Sequence, residues 1–131
     1  MRIYACIIDL KMRELVKATK ALSDETRLRV LNLLTERDCC VCEVMQALDI
    51  SQTRASRNLA ILYDTGFLKL RKEGLWSLYS IDGEMPGYLS DLVGAATKAM
   101  KGDKAAVSDR ERLKKAQRVG PGCVCKLARV I

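Results

Sequence analysis

The chain has no histidine and no apolar run long enough for a signal-peptide core or a membrane-spanning helix. Each absence closes a class of function. Without histidine there can be no Ser-His-Asp triad, no Cys-His pair, no His-bearing zinc site and no imidazole general base. Without an export signal the protein is expected to be cytoplasmic and its six cysteines reduced; clustered reduced thiols point to metal binding or redox chemistry, not to a disulfide framework. A site made only of sulfur selects soft ions over magnesium, calcium or manganese. The expected protein is therefore not an enzyme. A dithiol oxidoreductase built on Cys39 and Cys42 is the one enzyme alternative, and the flanking segments lack the strands of a thioredoxin-like fold.

What is present fits one domain. The chain is 131 residues long and 49% apolar, enough for a real core. Its net charge of +7 is uneven: residues 1–100 carry 14 Lys and Arg against 13 Asp and Glu, and residues 101–131 carry 9 against 3. A basic tail of that kind reads as a solvated helix face, so local patches matter more than the total.

Helical periodicity appears in MRELVKATKAL, with Leu15, Val16, Ala18 and Leu22, and again in SDETRLRVLNLLTE, with Leu28, Val30, Leu31, Leu33 and Leu34. Ser23 or Asp24 supplies the N-cap of the second helix. Met12 is an alternative start, so residues 1–11 are expected as an extension or flexible arm. CEVMQALDI predicts a short helix burying Val44, Met45 and Leu48. After a tight turn, Ser51 caps a second helix whose stripe is Ala55, Leu59 and Leu62, and Gly66 ends it. Two helices across a short turn form a helix-turn-helix. FLKLRKEGLWSLYSI then switches to period two, a hairpin with Phe67 and Leu70 and then Leu75, Leu78 and Ile81 offset around the turn signal Lys72, Glu73 and Gly74. Pro86 opens a helix to about Lys101, whose apolar stripe of Leu89, Leu92, Val93, Ala96 and Met100 suits a dimer core. A charged helix follows, and GPG at 120–122 stops it. The expected organisation is 12–101 for DNA binding and dimerisation and 102–131 for a basic helix with a cysteine-bearing tail. The fold class is mostly α with a β-hairpin, a winged helix-turn-helix with a terminal dimerisation helix.

The second helix of the pair offers Gln52, Thr53, Arg54, Ser56, Arg57 and Asn58 off its apolar stripe, the side-chain types that read base edges and phosphates. Lys69, Arg71 and Lys72 on the hairpin add positive charge for an adjacent groove. A merely solvated polar helix is the bland alternative. The order of elements along the chain argues against it.

KALSDETRLRVLNLL, followed by CVCEVMQALDISQTRASRNLAILYDTGFLKLRKEGLWSLYSI, resembles the ArsR/SmtB family of metal-responsive bacterial repressors over about residues 12–100. The resemblance implies a homodimer that binds an inverted repeat of double-stranded operator DNA, needs no cofactor to do so, and leaves when an inducer binds. No membrane and no other protein partner is implied. Asn58 stands where the family often has histidine.

The resemblance also implies a use for the thiols. Cys40 and Cys42 match the family's Cys-x-Cys pair, with As(III) or Sb(III), or alternatively Cd(II) or Pb(II), as inducer. Arsenic-responsive members carry a third cysteine three residues after the pair; here that position is Met45. The third thiolate is then expected from Cys39, Cys123 or Cys125, with Cys6 a weaker candidate. On a regular helix at about 100° per residue, Cys40 and Cys42 would point about 200° apart and could share an ion only by deforming the helix, whereas Cys39 and Cys42 would lie about 60° apart. A thiol-redox or persulfide-sensing repressor on the same fold is the alternative.

Overall fold

A computed structural model describes the backbone from Arg2 to Arg118 and side chains from Lys11 to Arg118. Eight elements follow one another: α1 (Arg2–Leu22), α2 (Glu25–Glu36), α3 (Val41–Leu48), α4 (Gln52–Thr65), β1 (Leu68–Glu73), β2 (Trp76–Ile81), α5 (Gly87–Ala99) and α6 (Lys104–Lys115). Helix α1 begins well before Met12, so the backbone of the expected extension is helical from Arg2.

Local chemistry sets the boundaries. Asp24 caps α2 by accepting from the Arg27 N–H at 3.0 Å, and Ser51 caps α4 by accepting from the Arg54 N–H at 3.2 Å. Asp49 ends α3 in the left-handed region at φ 54°, so α3 and α4 are separated by a tight turn. Gly66 ends α4 at φ 99°, where a side chain would be strained and its Cβ would sit 3.3 Å from Leu89 Cδ1.

Helix α2 is the hub of the core. Its Val30, Leu31, Leu33 and Leu34 pack with Val44, Ala47 and Leu48 of α3, Ala55, Leu59 and Leu62 of α4, Phe67, and Leu89 and Val93 of α5. The antiparallel hairpin pairs Leu68 with Ile81 and Glu73 with Trp76. Because the pairing runs on to Glu73, the turn falls at Gly74 and Leu75, later than the sequence predicts. Leu75 is therefore 74% exposed and Leu70 faces outward.

The α5 stripe is divided. Leu89 and Val93 are buried within their own chain, whereas Leu92, Ala96 and Met100 are half-buried and the neighbouring Tyr88 is exposed. Met12, Leu15 and Val16 of α1 also remain exposed, and Leu15 and Tyr88 line one shallow apolar depression with Lys11 and Glu14. The α3–α4 pair with its wing is a winged helix-turn-helix. Among the described residues no helix is long and apolar enough to cross a membrane.

Candidate thiol site and nucleic-acid interface

Cys39 does not lie on a helix. It forms a backbone bridge to β2, its N–H donating to Tyr79 O at 3.0 Å and its carbonyl accepting from Tyr79 N–H at 2.8 Å. That bridge keeps the chain extended through Cys40, which becomes the N-cap of α3 at φ −87°, ψ 170°. An extended cap is not bound by the 100° helical step, so the Cys40 side chain folds over the first turn. The Cys40 and Cys42 sulfurs lie 2.8 Å apart, one thiol donating to the other. The expectation of opposed thiols that meet only by helix deformation is thus corrected: the pair is already assembled.

The same extended segment sends Cys39 the other way. Its side chain belongs to the main core, with its sulfur 3.5 Å from the Arg37 carbonyl, whereas Cys40 and Cys42 form a separate buried cluster with Leu78, walled by Trp76. The about 60° proximity of Cys39 to Cys42 does not occur. Burial, reinforced by the Glu43 carboxylate, pushes the Cys39 thiol up to about 12. Cys40 moves in the opposite direction, to about 7, because the Cys42 thiol hydrogen-bonds its sulfur; burial opposes this, and the Glu43 backbone N–H assists it. Cys123 and Cys125 lie outside the described residues, as does the side chain of Cys6. Among the described residues no three Cys, Asp or Glu side chains converge as a metal site.

Glu43, unnoticed in the sequence, organises this corner. It completes a capping box with Cys40, one carboxylate oxygen accepting from the Cys40 N–H at 2.9 Å and from Arg118 Nε at 2.8 Å. The other accepts from Arg37 Nη1. Burial opposes ionisation of Glu43, but the bonds from Arg118, the Cys40 N–H and Arg37 outweigh it and hold the carboxyl below its ordinary range. A Cys-x-x-Glu spacing at a helix start was the available signal.

Helix α6 and the residues after it close over α3. Arg112 Nε donates to Ala47 O at 2.6 Å, and Arg37 Nη2 to Leu113 O at 3.0 Å. Gln46 and the Gln117 backbone exchange two hydrogen bonds, at 2.8 and 3.1 Å, and the Cys42 sulfur lies 3.8 Å from Gln117 O. On the wing side Arg71 Nη1 pairs with Asp38, whose carbonyl accepts from Arg118 Nη2 at 3.4 Å. The thiol pair is thus enclosed by α3, β2 and the chain leaving α6.

On α4, Gln52, Thr53, Arg54 and Arg57 are exposed and Ser56 is half-buried. Asn58 departs from the sequence expectation. It is 7% exposed, its Oδ1 accepting from Arg27 Nη1 at 3.1 Å and its Nδ2 donating to Arg54 O at 2.9 Å. Both of its polar atoms are hydrogen-bonded within the protein. Lys69 and Lys72 are exposed on the wing, while Arg71 is tied to Asp38 and, at 3.1 Å, to Glu73.

Comparison with known proteins places these features in context. A family described as "Bacterial regulatory protein, arsR family" matches residues 24–70. The chain is 39% identical over 82 residues to the arsenical resistance operon repressor of Escherichia coli K12, covering 62% of this chain and 70% of that protein. It is 40% identical over 72 residues to a cadmium resistance transcriptional regulatory protein CadC homolog of Staphylococcus aureus, covering 54% and 60%. Among solved structures, it resembles the homodimeric winged helix-turn-helix DNA-binding domain of Mb0332 from Mycobacterium bovis, a possible ArsR-family regulator. The TM-score is 0.60 at 27% identity, over 76% of this chain and 86% of that one.

Proposed function

The chain belongs to the arsR family of bacterial regulatory proteins, transcriptional regulators that bind DNA, and from that premise we propose that it is a repressor released from its operator by a soft ion at Cys40 and Cys42. The observation that carries the reading is the 2.8 Å separation of the two sulfurs, buried at the start of the helix that leads into the recognition helix. Arsenite or antimonite is the favoured guest, with Cd(II) or Pb(II) as alternatives. Taking arsenite as As(OH)3, three thiols displace three hydroxides: three As–O bonds break, three As–S bonds form, and the thiol protons leave in three waters without redox change.

The third thiolate is assigned to Cys123 or Cys125, of this chain or of a second copy. Arg118 is anchored at Glu43 beside the pair.

A guest seated between the sulfurs has to part them. Cys40 is the cap of α3 and Leu78 packs against both thiols, so separation presses on the first turn of α3 and on β2 together. One path leads through the Asp49 turn to α4, the other through the Cys39–Tyr79 bridge to the wing. Shifting either changes how well the two DNA-contacting elements fit one groove pattern, the kind of local event that biases a two-state element. The exposed faces of α1 and α5 support a homodimer, whose two-fold axis would match an inverted-repeat operator.

A second reading rests on the same distance. Two thiols this close can form a disulfide, giving up two protons and two electrons to an oxidant such as peroxide, which is reduced to water.

The deciding experiment is a gel-shift titration with arsenite, antimonite, cadmium, lead and peroxide on the full chain and on each cysteine variant. Cys40→Ser and Cys42→Ser are expected to bind the operator but to resist release by arsenite. Release that persists in the double variant would reject the thiol assignment, and release by peroxide alone would select the redox reading.

A further inference from the structure

Arg54 is exposed, yet it is held at three points. Its backbone N–H donates to Ser51 Oγ at 3.2 Å, its carbonyl accepts from Asn58 Nδ2 at 2.9 Å, and its Nη2 donates to Thr26 Oγ1 at 2.8 Å. The third bond leaves its own helix. Thr26 belongs to the first turn of α2, is 7% exposed, and rides on the helix that places Val30, Leu31, Leu33 and Leu34 in the core. One residue further on, Arg27 fixes Asn58 through Nη1 while its Nε donates to Ala21 O at 2.6 Å and its Nη2 to Lys20 O at 3.3 Å. The N-terminal half of α4 is therefore braced against both α1 and α2, with the Arg54 guanidinium at its outer edge.

A guanidinium has five N–H donors in a planar fork, and one bond to Thr26 still leaves a pair for bidentate contact with the O6 and N7 of guanine. A long side chain free in water loses rotamer entropy when it binds a base; one already oriented loses less. A fixed plane also discriminates, because a tilted fork can find a phosphate oxygen or another base edge instead.

We propose that Arg54 reads one guanine in the major groove of each operator half-site and that Thr26 is the positioning residue that sets its plane. This rests on α4 being the DNA-reading helix and adds which base it selects and what enforces the selection. A well-formed bidentate contact discriminates against the wrong base by roughly 5- to 150-fold.

The test uses the full-length protein without inducer. Duplexes are selected from a randomised pool by the wild type, and affinities are then measured for each single base-pair change in the selected site. Arg54→Ala is expected to erase the guanine preference at one position per half-site. Thr26→Val is expected to reduce it to within about 3-fold at that position alone, leaving the other positions and the salt dependence unchanged. Thr26→Ser, which keeps the hydroxyl, is expected to retain the wild-type profile. In an Arg54→Ala background, Thr26→Val is expected to change nothing further.

A Thr26→Val profile equal to wild type, or one weakened evenly at every position, would overturn the role of Thr26 while leaving α4 as the reading helix. A Thr26→Ser profile as relaxed as that of Thr26→Val would overturn it too. Failure of the wild type to select any duplex would remove both the reading of α4 and the inference built on it.

Discussion

Replacing Asp109 with alanine tests whether α6 is a structural part of the DNA-binding domain or an appended tail. The Asp109 side chain is fully buried and accepts three hydrogen bonds: from Arg29 Nε at 2.8 Å, Arg29 Nη2 at 2.7 Å and Arg112 Nη2 at 2.7 Å. Breaking a fully buried ion pair by removing one partner costs about 3–5 kcal/mol. Here the arginine side chains keep 22% and 42% of their exposure, so water can recover part of their solvation. About 2–3 kcal/mol is then expected. At about 3–5 °C per kcal/mol for a chain of this size, the melting temperature falls by roughly 6–15 °C. Thermal unfolding followed by far-UV circular dichroism at fixed protomer concentration measures it, the concentration being held because association shifts the midpoint. Asp109→Asn, which keeps one acceptor, belongs between the two. Loosening α6 also weakens the Arg112 bond to Ala47 O at the end of α3, so amide exchange in α3 is expected to rise with that in α6. A drop of less than about 3 °C, or faster exchange in α6 with none in α3, would refute the reasoning that the two are joined through this carboxylate.

Other expectations follow from the same geometry. Glu43→Gln is expected to cost about 2 kcal/mol near pH 7. Because the folded carboxyl is held below its ordinary range, that contribution is present above the unfolded carboxylate value and is lost as pH falls through the depressed folded one. The gap between variant and wild type in urea midpoints therefore closes in acid, and a pH-independent gap would refute the ionic role. Ultraviolet thiolate absorbance, which needs no reagent to enter the enclosed site, is expected to show one thiolate forming with a midpoint near 7 that Cys40→Ser removes, while Cys39, pushed up to about 12, adds none across the neutral range; an unchanged titration in Cys40→Ser would contradict the two environments. Operator affinity is expected to fall with salt at about 0.9 in the log-log slope for each phosphate contacted. Arg57→Ala removes about one contact per protomer, and a slope equal to wild type would take Arg57 off the DNA.

The local parts of this protein were readable from its residues. The α2, α3 and α4 stripes, the Ser51 cap, the Gly66 terminator and the switch to period two are patterns within a few neighbouring positions, and the helix-turn-helix and its wing follow from them. The candidate site was only half readable. Spacing drew attention to Cys39, Cys40 and Cys42, but a helical wheel assumes that all three are helical, and α3 begins only at Val41. Whether Cys40 is a cap or a helical residue was decided by the Cys39 bridge to Tyr79 on a strand much later in the chain. Asn58 looked exposed because its neighbours are polar; Arg27, 31 residues earlier, draws it inward. The basic tail looked like a solvated face until Asp109 met Arg29, 80 residues away.

By itself, then, the order of residues determined the succession of helices, the hairpin, the thiol-rich helix start and the exposed recognition face, since each depends on backbone preferences and periodicities that act over a few positions. Which two thiols meet, which polar side chains turn inward and what the last helix clasps depended on partners far apart in the chain. Only tertiary packing brings such groups within hydrogen-bond distance.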